Sequence, residues 1–114
     1  KPGKIQLIDL GARTTHFLYF QDKMLVNNKS LTHNYGAESN GSSTDYKNLV
    51  PFILDKVDQL NWSKDCPTLV AGGAAHELVN LLKDEFSDIS VQTADPRLSN
   101  AIGYLKIAKV QLGL

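Results

Sequence analysis

Apolar residues near the start of the chain alternate or sit side by side: Ile5, Leu7, Ile8 and Leu10, then Phe17, Leu18 and Phe20, with Gly11-Ala12-Arg13 between the groups. This pattern predicts two strands joined by a glycine-containing turn. Gln21-Asp22-Lys23 marks a polar turn, and Met24 to His33 is predicted as a third strand, which completes an antiparallel meander. Residues 35–43 are polar and rich in glycine and serine, so a flexible loop is expected there. Ser43 or Thr44 is expected to cap a helix whose Leu49, Val50, Ile53, Leu54, Val57 and Leu60 share one wide apolar face. Pro51 leaves two readings open, a kinked helix or one whose regular part begins near Val50. Thr68-Leu69-Val70-Ala71, bounded by Pro67 and Gly72-Gly73, predicts a short strand. A second helix follows, with Leu78, Val79, Leu81, Leu82 and Phe86 facing inward, and Ile89 to Gln92 predicts a fifth strand. Asp95-Pro96 then opens a third helix, in which Leu98, Ala101, Ile102, Leu105, Ala108 and Leu112 recur at helical spacing.

The predicted order is βββαβαβα. A meander leading into strand–helix units gives an α/β domain: a five-stranded mixed sheet with helices on both faces. Right-handed crossovers place the third strand at one edge and the fifth at the other, the arrangement of a ribonuclease-H-like core. With 114 residues the chain is the size of one compact domain, taken here as 1–114. Twelve basic and twelve acidic residues cancel, so no net field favours direct contact with nucleic acid or an anionic membrane. No apolar run approaches the roughly 20 residues that span a bilayer. The single Cys66 forms no internal disulfide, which fits a cytoplasmic location. The chain opens Lys1-Pro2-Gly3 without methionine and is read as a fragment.

Three segments carry candidate chemistry. In Asp9-Leu10-Gly11-Ala12-Arg13-Thr14-Thr15, a carboxylate at a strand end precedes small residues and two hydroxyls. Asp9 is placed to hold Mg²⁺ through water, an ion that keeps much of its hydration shell. Gly11 and Ala12 allow close backbone approach, so N–H groups and threonine hydroxyls can meet phosphate oxygens. An ordinary hairpin turn with local polar contacts accounts for the same residues. Val70-Ala71-Gly72-Gly73-Ala74 runs from a strand into a helix, leaving room for a flat ring or a phosphate near the helix start. A tight strand-to-helix corner explains it equally. In the third segment, Asp95 to Gly103, a glycine inside a helix suggests close packing.

Taken in order, these segments resemble the actin-like ATPases, within the group that includes sugar kinases and heat-shock chaperones, and particularly the plasmid-segregation (ParM/StbA-type) branch. Asp9 to Thr15 resembles that family's second phosphate loop, Val70 to Ala74 its adenosine motif, and Asp95 to Gly103 its closing segment. The resemblance covers nearly the whole chain and corresponds to the second lobe without the first. It implies ATP or GTP bound with Mg²⁺ in a cleft between two lobes, filament assembly, and an adaptor protein bound to DNA. Asp9 would then orient the Mg²⁺ shell. Gly11, Ala12, Arg13, Thr14 and Thr15 would contact phosphates, and Gly72, Gly73, Ala74 and His76 would flank adenosine.

Three departures change the picture. Arg13 replaces a small residue of the phosphate loop, and His16 stands where an acidic residue is frequent. The loop at 36–44 replaces a second subdomain that commonly supplies one wall of the adenine pocket, either as a natural shortening or as an engineered link. An alternative therefore stays open, a nucleotide-free interaction or assembly module on the same fold. A ribonuclease-H-like nuclease would need several converging carboxylates, for which only Glu38 and Asp45 are candidates beside Asp9.

Overall fold

The computed structural model describes residues 3–39, 41 and 43–91. Strand β1 (Lys4–Leu10) pairs antiparallel with β2 (Thr15–Gln21) over its full length, from Lys4↔Gln21 to Leu10↔Thr15. A tight turn with left-handed Asp22 and Lys23 (φ 52° and 68°) leads to the short β3 (Met24–Leu25). The predicted third strand does not run on to His33. A 3₁₀ turn at Asn27–Lys29 interrupts it, and β4 (Leu31–His33) returns to pair with the other end of β2. Ser30 causes the break to be tolerated: its hydroxyl donates to the Val26 carbonyl and accepts the Tyr19 N–H, filling the gap in the ladder.

Helix α1 (Tyr46–Gln59) begins at Asp45, not at Ser43 or Thr44. The Asp45 carboxylate accepts from the Asn48 backbone N–H (3.4 Å) and side-chain amide (2.6 Å). Asp45→Ala should lower the unfolding free energy by about 1 kcal/mol, read as a shift of the urea midpoint at constant slope. The helix runs through Pro51, which lies exposed in its second turn and removes the N–H that would otherwise reach the Lys47 carbonyl. Asn61 (φ 56°) ends it: its N–H bonds the Asp58 carbonyl and that of Trp62 the Val57 carbonyl, closing a left-handed cap. Trp62 then turns back over the core, its indole N–H donating to the Lys29 carbonyl at 2.7 Å.

Strand β5 (Thr68–Ala71) lies parallel to β1, and β6 (Ile89–Val91) parallel to β5, with α2 (Ala75–Leu82) between them. The sheet order β3-β2-β1-β5-β6, with β4 also on β2, is mixed, as expected. Alternation along the strands divides the interior. Ile8, Leu10, Phe17, Tyr19, Val70 and Val91 face α1 and α2, which both pack on that side with Leu49, Ile53, Val57, Leu78 and Leu82. Leu7, Leu18, Phe20 and Leu69 form a second buried cluster on the opposite face. The third helix, expected at 95–112, lies outside the described residues. Leu81, expected inward, is 44% exposed, and Phe86 is buried just beyond the end of α2.

The polar network around Gln6 is complete among the described residues. Gln6 is fully buried; its amide N–H₂ donates to the Ser63 carbonyl and the Thr68 hydroxyl, and its oxygen accepts the Ser63 N–H. Nearby Cys66 is buried, and that burial pushes its thiol pKa up, so it is kept protonated and is no activated nucleophile.

Candidate functional site

Because β1 and β5 are parallel, their carboxyl ends open at the same edge of the sheet, where α/β folds place ligands. The chain leaves β1 through the Gly11–Thr14 turn and leaves β5 through Gly72-Gly73. The turn is closed by the Gly11 N–H donating to the Thr14 carbonyl at 2.9 Å. Gly72 (φ +119°) lies against the carbonyl of Leu10, so close that a Cβ there would collide with its oxygen. This approach fixes the β5–α2 corner directly beside the Gly11–Thr14 turn.

The loop after β4 is bolted to the same turn. The Ala37 and Glu38 N–H groups donate to the carbonyls of Gly11 (2.9 Å) and Ala12 (2.7 Å). The Gly36 N–H donates to the Ser39 hydroxyl (2.7 Å). Gly36 is buried, and a Cβ on it would meet the Gly11 oxygen, with Ala12 C and Arg13 N each at 2.7 Å. Flexibility expected from composition thus does not describe residues 35–39; their backbone groups are committed to the turn.

These elements enclose a cleft of about 340 Å³. Leu10, Gly11 and Ala12 form one wall, Gly73 and Ala74 a second, and Ala37, Glu38, Thr44 and Tyr46 a third. Gly11 and Ala12 are therefore brought together with Gly73 and Ala74, from segments 62 residues apart. Arg13 is exposed and Thr14 half-buried in the turn, and neither lines the cleft. Thr15 is fully buried, and its hydroxyl donates to the Tyr35 carbonyl at 2.7 Å, so it holds the loop. His76 is exposed on the first turn of α2, outside the cleft wall. Asp9 is half-buried on the sheet face away from both helices, directly across from His16, whose Nδ1 pairs with the Thr32 hydroxyl at 2.8 Å.

The donor set suits an anion. The N–H groups of Ala12, Arg13 and Thr14 have no hydrogen-bond partner among the described residues. The same holds for His76 and Glu77 at the start of α2, where Ala74 supplies no side-chain cap. Helix dipole and exposed N–H groups together favour negative charge. Gly73 has open space where a Cβ would project, room that a ligand can fill. Among the described residues no group of three or more His, Cys, Asp or Glu side chains comes together around a metal position. Mg²⁺ held chiefly by ligand phosphates and water, with one carboxylate behind them, needs no such group. Sequence reasoning missed Glu38, Thr44 and Tyr46 as cleft residues, because their loop was read by its polar composition alone.

No protein-family model and no curated protein matches the sequence. Solved structures do match. The apo ParM protein of psk41 superposes with a TM-score of 0.67 at 19% identity, over 97% of this chain and 42% of that one. The filament structure of AlfA from the Bacillus subtilis plasmid pLS32 gives a TM-score of 0.66 at 23% identity, over 80% of this chain and 32% of that one. A non-polymerisable quadruple mutant of pCBH ParM gives 0.60 at 23% identity, over 96% and 47%. The fold is that of the actin-like filament proteins, and the chain spans less than half the length of each of these structures, as one lobe does.

Proposed function

We propose that this chain is the second, nucleotide-binding lobe of an actin-like, filament-forming ATPase that serves plasmid or DNA segregation. ATP or GTP is held with Mg²⁺ between this lobe and a first lobe. The observation that carries the reading is the convergence of the Gly11-Ala12 turn and the Gly73-Ala74 corner on one cleft at the carboxyl ends of β1 and β5. Phosphate oxygens meet the N–H groups of Ala12, Arg13 and Thr14, which have no partner among the described residues, with the Arg13 guanidinium beside them. Asp9 orients water molecules of the Mg²⁺ shell. Adenosine lies along Gly72 to Ala74, with His76 at its margin. Thr15 contributes by holding the loop against the turn. Bound Mg-nucleotide would supply the phosphoanhydride that is hydrolysed; this lobe's own residues bind and orient it, and hydrolysis requires the other lobe. Partners in this reading are further copies of the full-length protein and a DNA-bound adaptor, in the cytoplasm.

The test is calorimetry with Mg-ATP and Mg-GTP on this chain and on the two-lobed protein. Binding is expected in the two-lobed protein and should weaken by about ten- to a hundredfold in Asp9→Ala, the loss of a charge-assisted contact. The commitment of the Thr15 hydroxyl to Tyr35 favours the second reading, a nucleotide-free assembly module. Absence of binding to either nucleotide in the two-lobed protein would establish that reading instead.

A further inference from the structure

The connection between β4 and α1 is short, and residues from both of its ends reach the cleft. Glu38 comes from its first end and Tyr46 from its second, each lining the same space as Gly73 and Ala74. Neither position is loosely held. The Glu38 backbone is fixed by its N–H bond to the Ala12 carbonyl, while its side chain is exposed. Tyr46 is the first residue of α1, half-buried, with part of its ring packed on the core. Asp45 caps the helix immediately before it.

The chemistry of these two groups differs from that of the phosphate turn. An ionised carboxylate accepts hydrogen bonds and offers none, and it repels phosphate. Its complement in a nucleotide is a sugar hydroxyl. A tyrosine ring anchored on one side offers a flat amphipathic surface, the kind on which bases stack. The cleft therefore carries different chemistry on different walls: backbone donors at the Gly11-Ala12 turn, and an acceptor and a ring on the loop wall.

We propose that the loop itself completes the nucleoside end of the site, with the Glu38 carboxylate accepting from ribose hydroxyls and the Tyr46 ring lying against the base. The inference rests on the nucleotide reading and names residues that reading does not use. It assigns the site to ribonucleoside triphosphates.

The experiment compares Mg-ATP, Mg-2′,3′-dideoxy-ATP and Mg-tripolyphosphate on the two-lobed protein, its Glu38→Gln variant and its Tyr46→Leu variant, with thermal melts as the folding control. Glu38→Gln is expected to bind ATP roughly tenfold more weakly and to lose the preference for ATP over the dideoxy form. Tyr46→Leu is expected to weaken both nucleosides' triphosphates by about tenfold. Tripolyphosphate, which lacks sugar and base, should be held equally by all three proteins. An unchanged ATP-to-dideoxy ratio in Glu38→Gln overturns the inference while the nucleotide reading stands. So does an equal loss for ATP and tripolyphosphate, which would mean that the loop acts through the phosphate turn. If the unsubstituted protein binds none of the three, the nucleotide reading itself fails. Should Tyr46→Leu not fold, the exposed Glu38 position still decides the matter.

Discussion

Phe17→Ala is expected to remove about 3–5 kcal/mol of stability, the range for emptying a large aromatic site in a packed interior. Phe17 is fully buried, and its ring meets Phe52 and Trp62 edge-on, each at 5.9 Å between centroids. It is the point where β2, α1 and the chain after α1 touch. Phe52 in turn carries Tyr35 at 4.7 Å and His33 at 5.1 Å, so the same aromatic group supports the base of the loop. A domain of this size has roughly 5–15 kcal/mol in total, so the loss is a large share of it. Urea denaturation measures it directly. A loss under about 1 kcal/mol would mean that the neighbouring rings close over the space and that this cluster does not tie the helix to the sheet.

The second large effect is expected from Gly72→Ala. Two costs act together: a left-handed backbone that side chains avoid, and a methyl directed into the Leu10 carbonyl. About 1–2 kcal/mol is expected from the first and 1–3 from the second, so unfolding should become easier by roughly 2–5 kcal/mol. The adjacent Gly73→Ala is the control. Nothing lies within 4 Å of its added carbon, and the stability change there should stay below about 1 kcal/mol. Near-equal melting of the two variants would sink the claim that Gly72 sets the spacing between β1 and β5. Because Gly72 positions the corner, its variant should also lose Mg-nucleotide binding in the two-lobed protein.

Much of the architecture was readable before any coordinates. The bounds of β5 followed from Pro67 on one side and the glycine pair on the other, and they are the observed ones. The alternation through Ile8, Leu10 and Phe17 identified the buried strands because a period of two has few other meanings in so short a run. Met24 to His33 misled because its apolar and polar residues are compatible with a strand at either end. The decisive feature is the Ser30 hydroxyl, which bonds to two backbone groups that are distant in sequence or turned away from the ladder. Ser43, Thr44 and Asp45 are all competent caps for α1, so composition does not choose among them; Asp45 is the one whose carboxylate accepts from Asn48.

The site was half legible. Glycines beside a carboxylate and a pair of glycines after a strand announce close backbone approach, and the cleft joins them. Nothing in a polar, serine-rich segment announces that Gly36 is buried against the turn or that Thr15 spends its hydroxyl on Tyr35. Those are long-range facts, set by which strand end happens to face the loop. For the same reason Tyr46 carried no sequence signal and Glu38 was a candidate only as a nuclease carboxylate; a carboxylate in a loop and an aromatic at a helix start are common, and only their shared address is informative.

Gly41 faces open space: no atom lies within 4 Å of where its side chain would begin, and the residue is solvent-exposed. The loop is anchored at its base through residues 35–38 and through Asp45, and Gly41 keeps an open outer side while its N–H bonds the Glu38 carbonyl at 3.2 Å. A side chain introduced at Gly41 would meet no neighbour within 4 Å, away from the turn and the helix cap. The entropic cost of added chain would rise only slowly, by about 0.6 kcal/mol for each doubling of loop length. The open side of Gly41 is thus a position where added chain is expected to cost little, because the contacts that hold the loop to the sheet lie at residues 35–38 and Asp45.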